Sequence, residues 1–183
     1  MRTIEATTTS AAPPARRWKM RVDGATYKHL TRSVLPTLTA AVLGNAFIGR
    51  DSLRWFQGLR SPAMQIPLSG SVAVGSLYYV SIGTVLHRSA ARLDRKSYCL
   101  ALVVLVGNEL WNVTLFGRHS TLGGFLGILG FTVPLTLLQL SVKGDRVSTA
   151  ALAPYTAWVF GYDVPWSYLL WRLNRQSPGH ACP

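Results

Sequence analysis

Five long stretches of the chain contain almost no charged residues, and short charged segments separate them. They are residues 33–49, 61–86, 97–117, 120–142 and 147–171, and only the third and the fifth contain a carboxylic acid. A helix that crosses about 30 Å of hydrocarbon needs roughly 20 mostly apolar residues, whereas the strands of a membrane barrel alternate over about ten. The pattern therefore predicts an all-α integral membrane protein, built as a five-transmembrane-helix bundle.

The composition agrees with this prediction. Of the 183 residues, 49% are hydrophobic and 14% are charged, whereas about a quarter of the residues of a soluble domain are charged. This balance argues against a water-soluble enzyme and against a disordered chain. A soluble all-α bundle with unusually apolar helices is the alternative. We expect one membrane domain at residues 33–174, after a basic, disordered tail at residues 1–32 and before a short tail at residues 175–183.

The chain has a net charge of +12, and its basic residues concentrate in the N-terminal tail and in short connections. Thirteen of the 19 Lys and Arg residues fall on the N-terminal side of the predicted bundle. The positive-inside rule then predicts a cytoplasmic N-terminus and an external C-terminus, without naming the membrane. We expect the tail to contact the lipid bilayer and not nucleic acid. The sequence has no cluster of His and Cys residues, so neither a metal nor a resident cofactor is expected.

Short motifs follow one another in a fixed order along the hydrophobic part of the chain. They are residues 55–62, Tyr79 with Gly83, Asn108 with Trp111, Asp145 with Arg146, Pro154 and Tyr155 with Trp158, and residues 171–174. In order and spacing they resemble the TspO/translocator-protein family of tryptophan-rich sensory proteins. The resemblance implies five transmembrane helices around a cavity that binds a flat hydrophobic ligand, such as a tetrapyrrole or a sterol.

Some positions depart from the pattern of that family. Gly75 stands where the family usually has a tryptophan, and Tyr162 stands where it usually has a small residue. The closing motif, at residues 171–174, also comes one residue late. A cavity of the family's kind would therefore lose an indole on one wall and gain a phenol on another. These departures argue against carrying over the family's usual ligand, whereas they leave the fold unaffected.

Helical spacing groups aromatic and amide side chains on two of the predicted helices. At 100° per residue, the rings after Pro154 share one face of the fifth helix, and Asn108 and Trp111 share a face of the third. Two aromatic faces with amides between them suit a flat ligand that has few polar groups. The predicted ligand-binding residues are Trp55, Tyr79, Asn108, Trp111, Tyr155, Trp158 and Tyr162. The alternative is that these rings pack the bundle or anchor it at the membrane surface.

Glu109 and Asp163 are the carboxylic acids inside the predicted helices. An isolated charge at the bilayer centre costs about 2.5–3.5 kcal/mol on insertion scales, so each acid should be neutral, paired or beside a polar cavity. As catalytic residues they would be general acids of a small intramembrane cyclase or isomerase that acts on a terpenoid or polyketide. As structural residues they would bond to a neighbouring carbonyl or amide group. We favour a membrane receptor or carrier over this enzyme.

Gly123 and Gly127 lie four positions apart on the fourth predicted helix. This spacing lets another helix approach closely, because neither residue has a side chain at the contact. It fits a homodimer interface and an internal contact of the bundle equally well.

Overall fold

Every regular element in the described part of the chain is helical. The computed structural model describes residues 24–46 and 48–175. Its helices are α1 (Gly24–Ala46), α2 (Arg50–Gln57), α3 (Leu68–Ala91), α4 (Arg95–Asn112), α5 (Thr121–Ser141), α6 (Arg146–Trp158) and α7 (Val164–Asn174). Two π-helical turns, Val113–Gly117 and Val159–Asp163, continue α4 and join α6 to α7. The predicted all-α class is therefore confirmed.

Three helical stretches are long and apolar enough to cross a membrane, namely Leu68–Ala91, Arg95–Gly117 and Thr121–Ser141. They overlap three of the five predicted spans, although the first of them begins at Leu68 and not at residue 61. The same criterion does not select α1 or the rod formed by α6 and α7. The predicted N-terminal tail overlaps α1 at residues 24–32 and otherwise lies outside the described residues, as does the predicted C-terminal tail beyond Arg175.

The buried core lies where α3, α4, α5 and α6 meet. Its largest fully buried side chains are mostly aliphatic and include Tyr78, Ile82, Leu86, Leu135, Leu138 and Leu152. Other apolar side chains point outward, and those of Val80 and Val103 are 67% and 52% exposed. Large exposed apolar patches are rare on soluble monomers, whereas lipid covers them in a membrane. Helices with an apolar exterior therefore fit a lipid environment.

An ion-pair network joins α3 to the start of α6 at one end of the bundle. Arg88 donates two hydrogen bonds to the Asp145 carboxylate, at 2.6 and 2.7 Å, and Arg92 Nη1 lies 3.2 Å from it. The Ser148 hydroxyl donates to the same carboxylate at 2.6 Å. Hydrogen bonds from Arg88 and Ser148 hold the pKa of Asp145 well below its usual value. Asp145 therefore stays ionised and fixes this end, which we call the cationic end.

The π-helical turn between α6 and α7 precedes Pro165, which lies in the first turn of α7. Proline has no N–H to donate, and its ring clashes with the carbonyl group four residues earlier, here that of Gly161. The chain avoids this clash by a π turn, which contains one residue more than an α-helical turn. One extra residue before α7 agrees with a closing motif that comes one residue late.

Candidate functional site

The connection between α2 and α3, residues 58–67 (the loop), is bonded to the end of α7 through one amide side chain. Asn174 Oδ1 accepts a hydrogen bond from the Arg60 N–H, and Asn174 Nδ2 donates to the Arg60 carbonyl group, both at 3.0 Å. Nδ2 also donates to the Leu170 carbonyl group at 2.8 Å. Asn174 therefore pairs with both backbone groups of Arg60, and this fixes the start of the loop.

Tyr162 holds the other half of the loop. Its hydroxyl group donates to the Met64 carbonyl group at 3.0 Å and accepts from the Ile66 N–H at 2.9 Å. An irregular segment has backbone groups that no helix or sheet satisfies, so a side chain that both donates and accepts is well suited to fix it. The phenol that departs from the family's pattern thus closes the loop over the bundle.

Three stacked rings lie beneath the loop, and we call Trp158, Tyr162 and Trp166 the ring layer. The ring centroids of Trp158 and Tyr162 are 4.3 Å apart, and those of Tyr162 and Trp166 are 6.4 Å apart, with interplanar angles of 29° and 13°. Phe56 of α2 packs on Trp166 at 6.1 Å. Offset stacking of this kind is favourable and presents flat apolar surfaces. The helical spacing predicted a row of four rings on this face, and the structure stacks three of them, whereas Tyr155 packs on Tyr78.

Two buried polar atoms of this region have no hydrogen-bond partner among the described residues. They are the indole Nε1 of Trp166, a side chain that is only 7% exposed, and Oε1 of Gln65. Gln65 lies between the two loop residues that bond to Tyr162. A buried polar group without a partner costs about 1–3 kcal/mol. One donor and one acceptor are therefore free to bind polar groups of a ligand.

Trp55 lies at the edge of this region, on α2. Its ring stacks on that of His119, with centroids 4.8 Å apart and an interplanar angle of 23°. His119 has a φ of 50°, in the left-handed region, at the turn between α4 and α5. The turn thereby directs the imidazole toward α2. Trp55 is half-buried and packs against the cluster that contains Trp166, so it belongs to the wall around the ring layer.

A second group of predicted residues surrounds Glu109 in the interior, and we call it the polar cluster. Its members are Tyr79, Asn108, Glu109, Asn112 and Tyr155. The Tyr79 hydroxyl donates to Glu109 Oε1 at 2.8 Å, and the amide groups of Asn108 and Asn112 lie 3.4 and 3.3 Å from the carboxylate. Three donors thus converge on one carboxyl group. Burial of this acid is compensated by hydrogen bonds.

Tyr155 and Gly44 close the polar cluster. The Tyr155 hydroxyl donates to Asn108 Oδ1 at 3.3 Å, and its ring packs on Tyr78 with centroids 4.7 Å apart. A Cβ atom added at Gly44 would overlap the Glu109 carboxylate. The backbone of α1 therefore lies directly against the acid, and only glycine leaves room for it.

Asp163 bonds to a member of the ring layer and not to the polar cluster. Its Oδ1 atom accepts a hydrogen bond from the indole N–H of Trp158 at 2.9 Å. Tyr155, one turn before Trp158, interacts electrostatically with both Asp163 and Glu109. Each acid bonds to its own set of side chains, which fits the structural interpretation of both.

Trp111 packs against both the core of the bundle and the cluster that contains Trp166, and it also borders a surface that the other predicted residues do not line. Its indole N–H donates to the Gly124 carbonyl group of α5 at 2.9 Å. Beside it, an open apolar groove of about 510 Å³ runs between α4 and α5, lined by residues such as Gly107 and Phe131. The helical spacing placed Trp111 on one face with Asn108, whereas these contacts direct it toward α5. Trp111 contacts Phe116, which connects this surface to the ring layer through Phe56.

The glycines of α5 contact α4 within the same chain. A Cβ atom at Gly127 would lie 3.3 Å from Trp111 Cδ1, and one at Gly124 would lie 2.8 Å from Leu115 Cδ1. A Cβ atom at Gly123 would lie 3.5 Å from that of Thr114. Of the two interpretations of the glycine spacing, the described contacts use the internal one.

The sequence did not point to Asn174, Gln65 or the two loop residues that bond to Tyr162 as parts of the site. Asn174 carried a signal, because it ends the last motif of the family resemblance. Gln65 carried none, since a single glutamine in a connection is most often solvated. The predicted residues divide into the ring layer with Trp55 at its edge, the polar cluster, and Trp111, whose N–H bonds to α5.

Comparison with known proteins identifies the family. A search of curated proteins found no significant match to this chain. A family model, that of the TspO/MBR family, matches residues 33–175, which include the loop, the ring layer and the polar cluster. The match covers most of the chain, and the protein therefore belongs to the TspO/MBR family.

Proposed function

We propose that this protein is a membrane receptor or carrier that binds a flat hydrophobic ligand against the ring layer, beneath the loop. One observation carries the proposal. The three rings are stacked under a segment that four side-chain hydrogen bonds hold in place, and an unpaired indole N–H lies among them. Family membership supports it, because TspO/MBR proteins are membrane proteins suited to binding or transport.

We further propose that all five long helical stretches cross the membrane. The three apolar stretches pack against α1 and against the α6–α7 rod. Lipid that surrounds the three stretches would therefore also border α1 and the rod. The start of α1 lies at the cationic end, since the Tyr98 hydroxyl donates to the Arg32 carbonyl group at 2.9 Å. Asn174 lies at the opposite end, on the loop. These positions support a cytoplasmic N-terminus and an external C-terminus by the positive-inside rule.

The ring layer favours a ligand with a large apolar face and few polar groups. Burial of apolar area contributes about 25 cal/mol per Å², so contact with a flat polycyclic ring system supplies most of the affinity. The unpaired atoms of Trp166 and Gln65 would orient it through one acceptor and one donor at its edge. Tetrapyrroles and sterols both meet this description. Trp158, Tyr162 and Trp55 would contact the ligand, and the polar cluster would hold the helices that carry them.

We propose that the loop acts as a lid. As described, Tyr162 fills the position beneath the loop and bonds to its backbone, so a ligand reaches the ring layer when these bonds open. Each hydrogen bond contributes about 0.5–1.5 kcal/mol net, and opening is therefore accessible at room temperature. The ligand would replace the contact between Tyr162 and the loop with contacts of its own. When the same bonds form again, the loop would cover the bound ligand.

A fluorescence titration tests the proposal. The full chain in uncharged detergent is titrated with protoporphyrin, a sterol and an uncharged terpenoid, and tryptophan emission is recorded. We expect saturable quenching by at least one compound, and Trp158→Phe should weaken that binding about fivefold, because one aromatic contact contributes roughly 1 kcal/mol.

Two further substitutions are the matched controls. Trp171→Phe changes a ring that stacks on Phe125 of α5, with centroids 5.5 Å apart, and not on the ring layer, so it should leave the affinity unchanged. Trp111→Phe reports on the groove between α4 and α5. Quenching that responds to Trp111→Phe and not to Trp158→Phe would place the ligand in that groove and refute the site beneath the loop.

A further inference from the structure

Two adjoining grooves follow the seam between α4 and α5, on the outside of the bundle, and we call them together the furrow. Besides the groove beside Trp111, a second groove of about 700 Å³ lies nearer the start of α4, and Val103 lines both. The seam is joined at its ends by hydrogen bonds from Ser97 Oγ to Ser141 Oγ at 3.0 Å and from Trp111 to Gly124 at 2.9 Å. Between these two contacts the helices leave a recess that their side chains do not fill.

The second groove has two chemically different parts. Arg95 and Lys96 line its mouth at the cationic end, and Leu100, Val103, Leu137 and Leu140 line the rest. Within the described residues, neither cation of the mouth forms an ion pair, whereas Arg88 and Arg92 are paired with Asp145. The neighbouring carboxylate, that of Asp94, accepts a hydrogen bond from the Ser97 N–H at 3.1 Å and caps α4. Two exposed cations are therefore available to an anion.

The part of the furrow that runs from Arg95 to Gly107 has about the length of one leaflet of a bilayer. From Arg95 to Gly107, α4 rises by about 18 Å at 1.5 Å per residue. Half of a hydrocarbon core of about 30 Å is roughly 15 Å. A molecule whose anionic head lies at Arg95 and Lys96 would thus extend its apolar chain along the furrow to the bilayer centre. In the proposed orientation this is the cytoplasmic leaflet, which carries the anionic lipids.

We infer that the furrow between α4 and α5 is a binding site for one anionic phospholipid. The phosphate group lies between Arg95 and Lys96, and an acyl chain lies against Val103 and Leu137. The site is separate from the ring layer, and it does not depend on a ligand beneath the loop. A bound lipid covers apolar surface of both helices and thereby stabilises their contact.

Native mass spectrometry of the full chain in uncharged detergent tests this inference. The protein is titrated with phosphatidylglycerol and with phosphatidylcholine of identical acyl chains, and the bound lipids are counted. Each cation at a membrane surface contributes about 1 kcal/mol, which changes the affinity for an anionic lipid about fivefold. Because Arg95 and Lys96 act together, we expect phosphatidylglycerol to bind roughly 30-fold more tightly than phosphatidylcholine. Arg95→Gln with Lys96→Gln should bring the two affinities close together.

A matched pair and a groove-filling variant make the test specific. Lys143→Gln with Arg146→Gln removes two exposed charges of the same end that do not line the groove, and it should leave the preference unchanged. Val103→Trp fills the furrow at an exposed position and should weaken the binding of both lipids. Equal binding of the two lipids by the unaltered chain, or an equal loss in both charge pairs, would overturn the inference. A dimer that Val103→Trp dissociates would also overturn it, because a second copy would then cover the furrow.

Discussion

The ring layer and the polar cluster are neighbours on the same helices, but they satisfy their polar groups in opposite ways. In the polar cluster, Glu109 accepts hydrogen bonds from a hydroxyl group and two amide groups, and Gly44 of α1 lies directly against it. In the ring layer, Tyr162 bonds to the loop, while Trp166 Nε1 has no partner among the described residues.

Under the proposed function, this difference separates a structural network from the proposed binding surface. A fully bonded buried network fixes the helices that contribute to it, and it offers no free donor or acceptor to a ligand. A stacked aromatic surface with an unpaired donor can gain contacts without losing any. We therefore expect substitutions in the polar cluster to lower stability, and substitutions in the ring layer to change ligand binding and loop opening.

Gly44→Ala should produce the largest effect on stability. The new Cβ atom would overlap the Glu109 carboxylate, and overpacking of this kind costs roughly 1–3 kcal/mol or more. Unfolding in a titration with sodium dodecyl sulfate measures the loss. Glu109→Ala in the same chain should relieve part of it, which a double-mutant cycle detects as a favourable coupling.

Gly75→Ala is the matched control for this substitution. Gly75 lies within α3, and a Cβ atom added there meets nothing within 4 Å. Alanine is favoured over glycine in a helix by about 0.8–1 kcal/mol, so Gly75→Ala should be neutral or stabilising. Equal losses at Gly44 and Gly75 would show that α1 does not lie against Glu109.

Glu109→Gln should have an intermediate effect. Glutamine keeps the shape of the side chain but replaces one acceptor oxygen with an NH2 group, which then faces a donor of Asn112 or Tyr79. One buried donor is left unpaired, at a cost of about 1–2 kcal/mol. Detergent unfolding should detect this cost, while the affinity for the quenching ligand should stay within about twofold. A Glu109→Gln chain of unchanged stability that no longer binds the ligand would contradict the division between the two regions.

The helical class and three of the membrane spans were predictable from the sequence, because long uncharged stretches leave helices as the only elements that satisfy their own backbone. The stacking of Trp158, Tyr162 and Trp166 was also predictable, since residues four positions apart on a helix lie on the same face. The direction of Trp111 was not, because helical spacing relative to Asn108 does not fix which neighbouring helix an indole contacts. The bond from its N–H to the Gly124 carbonyl group decides that direction.

The contacts of the loop were beyond reach for a different reason. The bonds of Tyr162 and Asn174 to the loop join residues that are 96 to 114 positions apart. They also depend on a π turn, whose extra residue the sequence shows only as a motif that comes one position late. Pro165 was the available signal, since a proline inside an apolar stretch opens the helix before it.

Tyr162→Phe should have the smallest effect on global stability and the most local one. It keeps the ring in the stack but removes the hydroxyl group that bonds to Met64 and Ile66. Because one hydrogen bond contributes about 1 kcal/mol, amide hydrogen exchange at Ile66 should accelerate about fivefold, while exchange in α4 should stay unchanged.

Tyr168→Phe is the control, since that ring packs on Phe125 and Trp171 and not on the ring layer. If Tyr162 is the residue that closes the lid, its phenylalanine variant should also bind the quenching ligand faster. Faster exchange in α4, or unchanged exchange at Ile66, would mean that the loop and the polar cluster open as one unit, and the contrast between the two regions would not hold.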